Sequence, residues 1–166
     1  MQKGKRKYRI VHESYLIEYL GITYPPGTWK TNVPLGKLKP IAGRALSEGE
    51  LRYVSKPFVA NADAVVVLKD KIVIIEAMVR HEPGALEDLI KYELLLRETP
   101  DYQQYSHLPI EKVLLTPLDL PFYSKLAARM GIKVVKYSPT WIWEYLHSYP
   151  RKEWRGKLSS VEFPEK

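Results

Sequence analysis

Asn61-Ala62-Asp63, the apolar run Ala64-Val65-Val66-Val67-Leu68, the link Lys69-Asp70-Lys71, the run Ile72-Val73-Ile74-Ile75 and then Glu76-Ala77-Met78 form the stretch that decides the fold. Both runs are rich in β-branched residues and are joined by a charged, turn-compatible tripeptide, the pattern of a β-hairpin. Asp63 then enters one strand and Glu76 leaves the other. Pairing about residues 69–71 brings the two carboxylates together at the open end of the hairpin, where a divalent cation can draw oxygen ligands from both. Met78 follows on the same side of an extended strand. Its thioether holds neither a proton nor a positive charge.

Downstream, Pro83-Gly84 opens a helical segment over residues 85–98, with Leu86, Leu89, Ile90, Leu94 and Leu96 as apolar positions and Pro100 as the stop. Residues 112–116 read as a strand, 118–130 as a helix capped by Gly131, 132–136 as a strand, and 141–146 as the start of an aromatic-rich helix. This alternation predicts an α/β domain of three layers, a central mixed sheet flanked by helices. Upstream, Tyr15, Leu16, Tyr19 and Leu20 predict a short helix from about Glu13 to a stop at Gly21. Residues 24–34 read as loop, 35–44 show no period, and 51–54 read as a strand before the hairpin. The expected organisation is one domain over residues 10–149, a mobile basic arm over 1–9 and a charged tail over 150–166.

A chain of 166 residues is long enough for one domain with a real core. The absence of cysteine excludes disulfides, a thiol nucleophile and thiolate metal sites. No apolar run approaches the roughly 20 residues that span a bilayer, so the expectation is no membrane and a cytoplasmic location. With 26 Lys and Arg against 19 Asp and Glu, the formal charge of +7 favours a polyanionic partner. Five Asn and Gln residues, 13 prolines and no thiols suit a heat-adapted source.

The acidic hairpin, the Glu76-Ala77-Met78 tripeptide and the segment Leu89-Ile90-Lys91-Tyr92-Glu93-Leu94-Leu95 together resemble the PD-(D/E)XK superfamily of restriction-endonuclease-like nucleases. The resemblance covers roughly residues 13–135 and implies the restriction-endonuclease-like form of the three-layer fold. It places the family's strand-opening Asp on Asp63, its strand-ending Glu on Glu76 and its lysine position on Met78. Ala62 stands where the variable proline would be, and Glu13 or Glu18 is the candidate for a further glutamate from the first helix. Magnesium, with manganese as a substitute, would then be held by Asp63, Glu76, the Ala77 carbonyl and Glu13 or Glu18, lowering the pKa of a bound water and polarising a phosphate.

Met78 can neither orient a nucleophile nor balance charge. Three readings follow: the positive group has moved to Arg80 or Lys91, the chain keeps the fold for binding DNA or protein, or the substitution traps an inactive protein. Lys37, Lys39, Arg44, Arg52 and Lys56 are candidates for tracking a phosphate backbone, and Tyr92 for a nucleic-acid contact. Each has a plain structural alternative. Asp63 can cap a turn, Glu76 can be solvated, Met78 and Tyr92 can be core, Lys91 can pair with Glu87, and the loop cations can be solvated. His81 shows no ligand spacing with His12, His107 or His147, which argues against zinc. Trp141, Trp143, Tyr145 and Tyr149 can stack on bases or form a subunit contact, and at least one tryptophan should pack inward.

The functional expectation is a nucleic-acid-associated protein, either a magnesium-dependent phosphodiester hydrolase or its impaired form. DNA stands ahead of RNA by the resemblance, although the hairpin itself decides neither. The alternatives are a noncatalytic DNA-binding or assembly protein of a viral or mobile-element complex, and a recombination or repair nuclease working as a homo-oligomer.

Overall fold

The computed structural model describes residues 3–37, 47 and 60–148. The central hairpin forms as the sequence indicates, from β2 (Ala60–Val67) and β3 (Ile72–Ala77), which pair antiparallel with Ala64 opposite Ile75 and Val67 opposite Ile72. Ile72, Val73, Ile74 and Ile75 are all buried. An uninterrupted apolar run is what a strand covered on both faces requires. Each of the three isoleucines contributes on the order of 2–5 kcal/mol, by the cost of cutting a buried isoleucine to alanine.

Beyond the hairpin, β4 (Ile110–Thr116) and β5 (Ile132–Lys136) add parallel strands through α2 (Ala85–Glu98), a short 3-10 turn (Pro100–Tyr105) and α3 (Pro121–Arg129). Gly84 at φ 96° allows the turn that opens α2, and Gly131 at φ 67° the turn between α3 and β5. Ahead of the hairpin stand α1 (Lys3–Thr23) and β1 (Trp29–Leu35), and the last described element is α4 (Thr140–Ser148). The sheet order is β1-β2-β3-β4-β5, antiparallel over the first three strands and parallel over the last three. One cluster packs α1 and α4 on Ala64, Val66, Val73, Ile75, Val113 and Leu115. A second packs α2 and α3 on Val65, Ile74, Met78, Leu114 and Ile132. The result is the expected three-layer α/β arrangement with a mixed sheet.

Two expectations upstream need correction. Residues 29–35 are a strand, not loop: among the described residues β1 is the outer strand of the sheet, a position that tolerates the missing N–H of Pro34. The first helix begins at Lys3, so the stretch expected as a mobile arm supplies its first turns, and it runs through Gly21 to Thr23, next to Pro25-Pro26. The α4 face that packs inward is Ile142, Tyr145 and Leu146, with Trp141 and Trp143 half-buried against the same cluster. The strand expected over 51–54 and the tail over 150–166 lie outside the described residues. Among the described residues no helix is long and apolar enough to cross a membrane.

Candidate metal and phosphodiester site

The paired register of the hairpin ends at Ala64 and Ile75, and Asp63 and Glu76 follow directly on the two strands, where the Ala77 N–H reaches the Asp63 carboxylate. At this point β2 breaks its alternation. Ala64 and Val66 face the α1 side, whereas Ala62 and Ala60 pack with the α2 side. On the neighbouring edge strand Asn32 has φ 51°, the one left-handed non-glycine among the described residues. Its own neighbours Thr31 and Val33 pair with Ala64 and Ala62. Asparagine tolerates this conformation better than most residues. The two strands thus change face together at Asn32 and Asp63.

The Asp63 carboxylate is fixed by two contacts. Its Oδ2 accepts the Ala77 N–H at 2.8 Å and lies 3.2 Å from His12 Nε2. The same His12 nitrogen is 2.8 Å from the Ala77 carbonyl oxygen. Burial lowers the pKa of His12, but hydrogen bonding and charge from Asp63, with smaller contributions from Ala77 and Glu82, outweigh it and leave the imidazole above its ordinary value. The spacing of His12 from the other histidines gives no sign of this role. The signal was its place on the inward face of α1, one turn after Tyr8 and one before Tyr15 and Leu16.

Glu76 is the more unusual carboxyl. Its Oε2 is buried without a hydrogen-bond partner. Burial raises its pKa, and the charges of Asp63, Asp88 and Glu82 raise it further, to about 9. Tyr92 stands on the α2 side of this carboxyl. Its phenol is pushed up by burial and then by the charges of Glu76, Asp88 and Asp63, so it stays neutral.

Met78 is fully buried, in the cluster with Leu86, Leu89 and Tyr92, and its N–H donates to the Leu115 carbonyl at 2.7 Å. The two proposed replacements for the missing amine pair with Glu82 and Asp88, carboxylates whose charges also act on Glu76. The Arg80 guanidinium lies 3.8 Å from the Tyr8 ring centroid, with its Nε 3.8 Å from Glu82 Oε1, and the Tyr8 hydroxyl donates to that same Glu82. Lys91 is exposed, its Nζ 3.8 Å from Asp88 Oδ1, so its surface partner is Asp88 and not Glu87.

Glu13 lines the same cleft as Asp63 while its Oε1 holds Arg9 Nε at 2.8 Å. Glu18 is not brought to the site. Its carboxylate accepts from the Tyr137 hydroxyl and from Trp141 Nε1, next to β5 and far across the sheet order from β2. Tyr92 is only 6% exposed, so its ring is not presented for stacking on a base. Lys37 is exposed, and Lys39, Arg44, Arg52 and Lys56 lie outside the described residues. His81 packs edge-to-face on Tyr123, centroids 5.7 Å apart.

Among the described residues no three His, Asp or Glu side chains are gathered into a ready-made metal cage. The donor set that fits a hard cation is the carboxylate pair. Asp63 is oriented by the Ala77 N–H, Glu76 offers an unpartnered buried oxygen, and the Ala77 carbonyl is held by His12.

No protein-family model matches the sequence, and no curated protein matches it. Among solved structures, the chain is similar to EndoMS in complex with double-stranded DNA, at 19% identity over 76% of this chain and 44% of that one, with a TM-score of 0.42. It is also similar to a repair endonuclease from Pyrococcus abyssi, at 16% identity over 84% of this chain and 48% of that one, with a TM-score of 0.38. The chain spans less than half the length of either structure.

Proposed function

We propose that this chain is a nucleic-acid-associated protein of nuclease type, a metal-dependent phosphodiester hydrolase whose site lacks the superfamily's amine. The observation that carries the reading is Glu76 Oε2, a buried and unpartnered oxygen on a carboxyl whose pKa is raised by burial and then by Asp63. A divalent cation satisfies such an atom.

Asp63 and Glu76 would hold magnesium, or manganese in its place, with the Ala77 carbonyl joining once His12 releases it. A cation bound there supplies an activated water and positive charge for the phosphate. The chain's own residues set the stage. The Ala77 N–H fixes Asp63 Oδ2. His12 brings a positively biased imidazole to Asp63, which balances that carboxylate's charge while no cation is bound. A formal charge of +7 supports a polyanionic ligand, and the resemblance in motif order supports DNA.

Incubation with single-stranded, duplex and branched DNA in magnesium and in manganese tests the reading. Metal-dependent cleavage by the native chain, lost in Asp63→Ala, is the expected outcome. A second reading, a noncatalytic DNA-binding or assembly protein, is favoured by the burial of Met78 where the resemblance places a lysine. DNA retained without product in either metal would select it.

A further inference from the structure

A cleft of about 650 Å³ runs between α1 and the β1 edge of the sheet, and Asp63 is part of its lining. That volume falls within the usual range of small-molecule sites, roughly 300–1,000 Å³. Its surfaces are chemically divided. Ile17, with about half of its surface exposed, gives it an aliphatic wall from α1, backed by Leu16, which is buried in the core beneath. Arg9 adds a guanidinium whose ion pair with Glu13 uses Nε, while the fork carries further N–H donors. Across from them Asn32 supplies an amide, offering both a donor and an acceptor.

Asn32 is also where the backbone departs from strand geometry, at φ 51°, beside the point at which β2 changes face. An edge strand has no need of a left-handed residue for pairing, and backbone departures of this kind gather at ligand sites. The aliphatic wall, the amide and the guanidinium match the three parts of a nucleotide: an apolar base face, a hydrogen-bonding edge and a phosphate.

We propose that this cleft is a nucleotide subsite, taking one unpaired nucleotide next to the phosphate at Asp63, with its base against Ile17, its edge on Asn32 and its phosphate on Arg9. The proposal rests on the phosphodiester reading of the Asp63 site and adds to it a substrate that is single-stranded or opened at that position.

The test is titration with a 5′-phosphorylated thymidine dinucleotide in EDTA, followed by amide chemical shifts, so that binding is read without metal or cleavage. Asn32→Gly is the informative variant, because glycine accepts the positive φ and removes only the amide. Arg9→Gln is its partner. Shifts confined to α1 and β1, with affinity weakened roughly fivefold in each variant at unchanged melting temperature, are expected for loss of one hydrogen-bonding group. Affinity unchanged in both variants, or shifts elsewhere on the molecule, would overturn the subsite. Dinucleotide binding that depends on Asn32 in a chain that cleaves no DNA would leave the subsite standing and remove the hydrolase reading alone.

Discussion

His12 Nε2 lies 3.2 Å from Asp63 Oδ2, so helix α1 reaches the open end of the hairpin and sets an imidazole against the carboxylate expected to bind metal. The same nitrogen holds the Ala77 carbonyl at 2.8 Å. His12 therefore occupies two oxygens that a cation would use. His12→Ala is expected to bind manganese roughly threefold to tenfold more tightly, a gain on the scale of one hydrogen bond, measured by isothermal titration. Weaker binding would make His12 a ligand instead of a competitor.

Glu76 links metal-free stability to pH. Its carboxyl has a folded-state pKa of about 9 against roughly 4.3 in an unfolded chain, so the native state binds the proton more tightly. The stabilisation is complete below the unfolded value and is lost as pH rises toward the folded one. Glu76→Gln does not titrate and escapes that loss. In EDTA, melting temperature should fall between pH 6 and pH 8.5 more in the native chain than in the variant. Equal falls in the two proteins would show that Glu76 is already ionised in the folded state.

Met78 belongs to the core around α2, with no exposed surface. Met78→Lys should cost roughly 3 kcal/mol or more in denaturant melts, because it buries an amine among Leu86, Leu89 and Tyr92. Met78→Leu, which roughly conserves volume, should cost less than about 1.5 kcal/mol. A lysine tolerated as well as leucine would mean that its amine reaches the carboxylates without penalty.

Arg80 and Lys91 should prove peripheral to metal binding. Arg80→Gln removes the guanidinium from the Tyr8 ring and should lower stability by about 1 kcal/mol, while exposed Lys91→Ala should change it by less than about 0.5 kcal/mol. Manganese affinity should stay within about threefold of native in both, and a tenfold loss in either would return that residue to the site.

The hairpin, α2, β4 and β5 were legible because their local patterns and their burial agree: β-branched runs lie in the two-sided centre of the sheet, and Pro83-Gly84, Pro100 and Gly131 punctuate the helices. Strand β1 was hidden because Asn32 and Pro34 are poor strand formers, and only an edge position tolerates them. Asp63 and Glu76 could be paired from the turn alone. His12 could not, because its contact with Ala77 spans 65 residues and depends on how α1 crosses the sheet. Glu18 misled for the same reason. It shares α1 with His12 but turns toward Tyr137 and Trp141.

Manganese titration of the native chain beside the Asp63→Asn, Glu76→Gln double variant, at pH 8 with calorimetric detection, tests the paired-carboxylate cation site most directly. The native chain should show saturable binding at one site, and the double variant should lose it while keeping a cooperative melt. Equal binding by the two proteins, or none by the native chain, would contradict the assignment of Asp63 and Glu76 as the site of the metal.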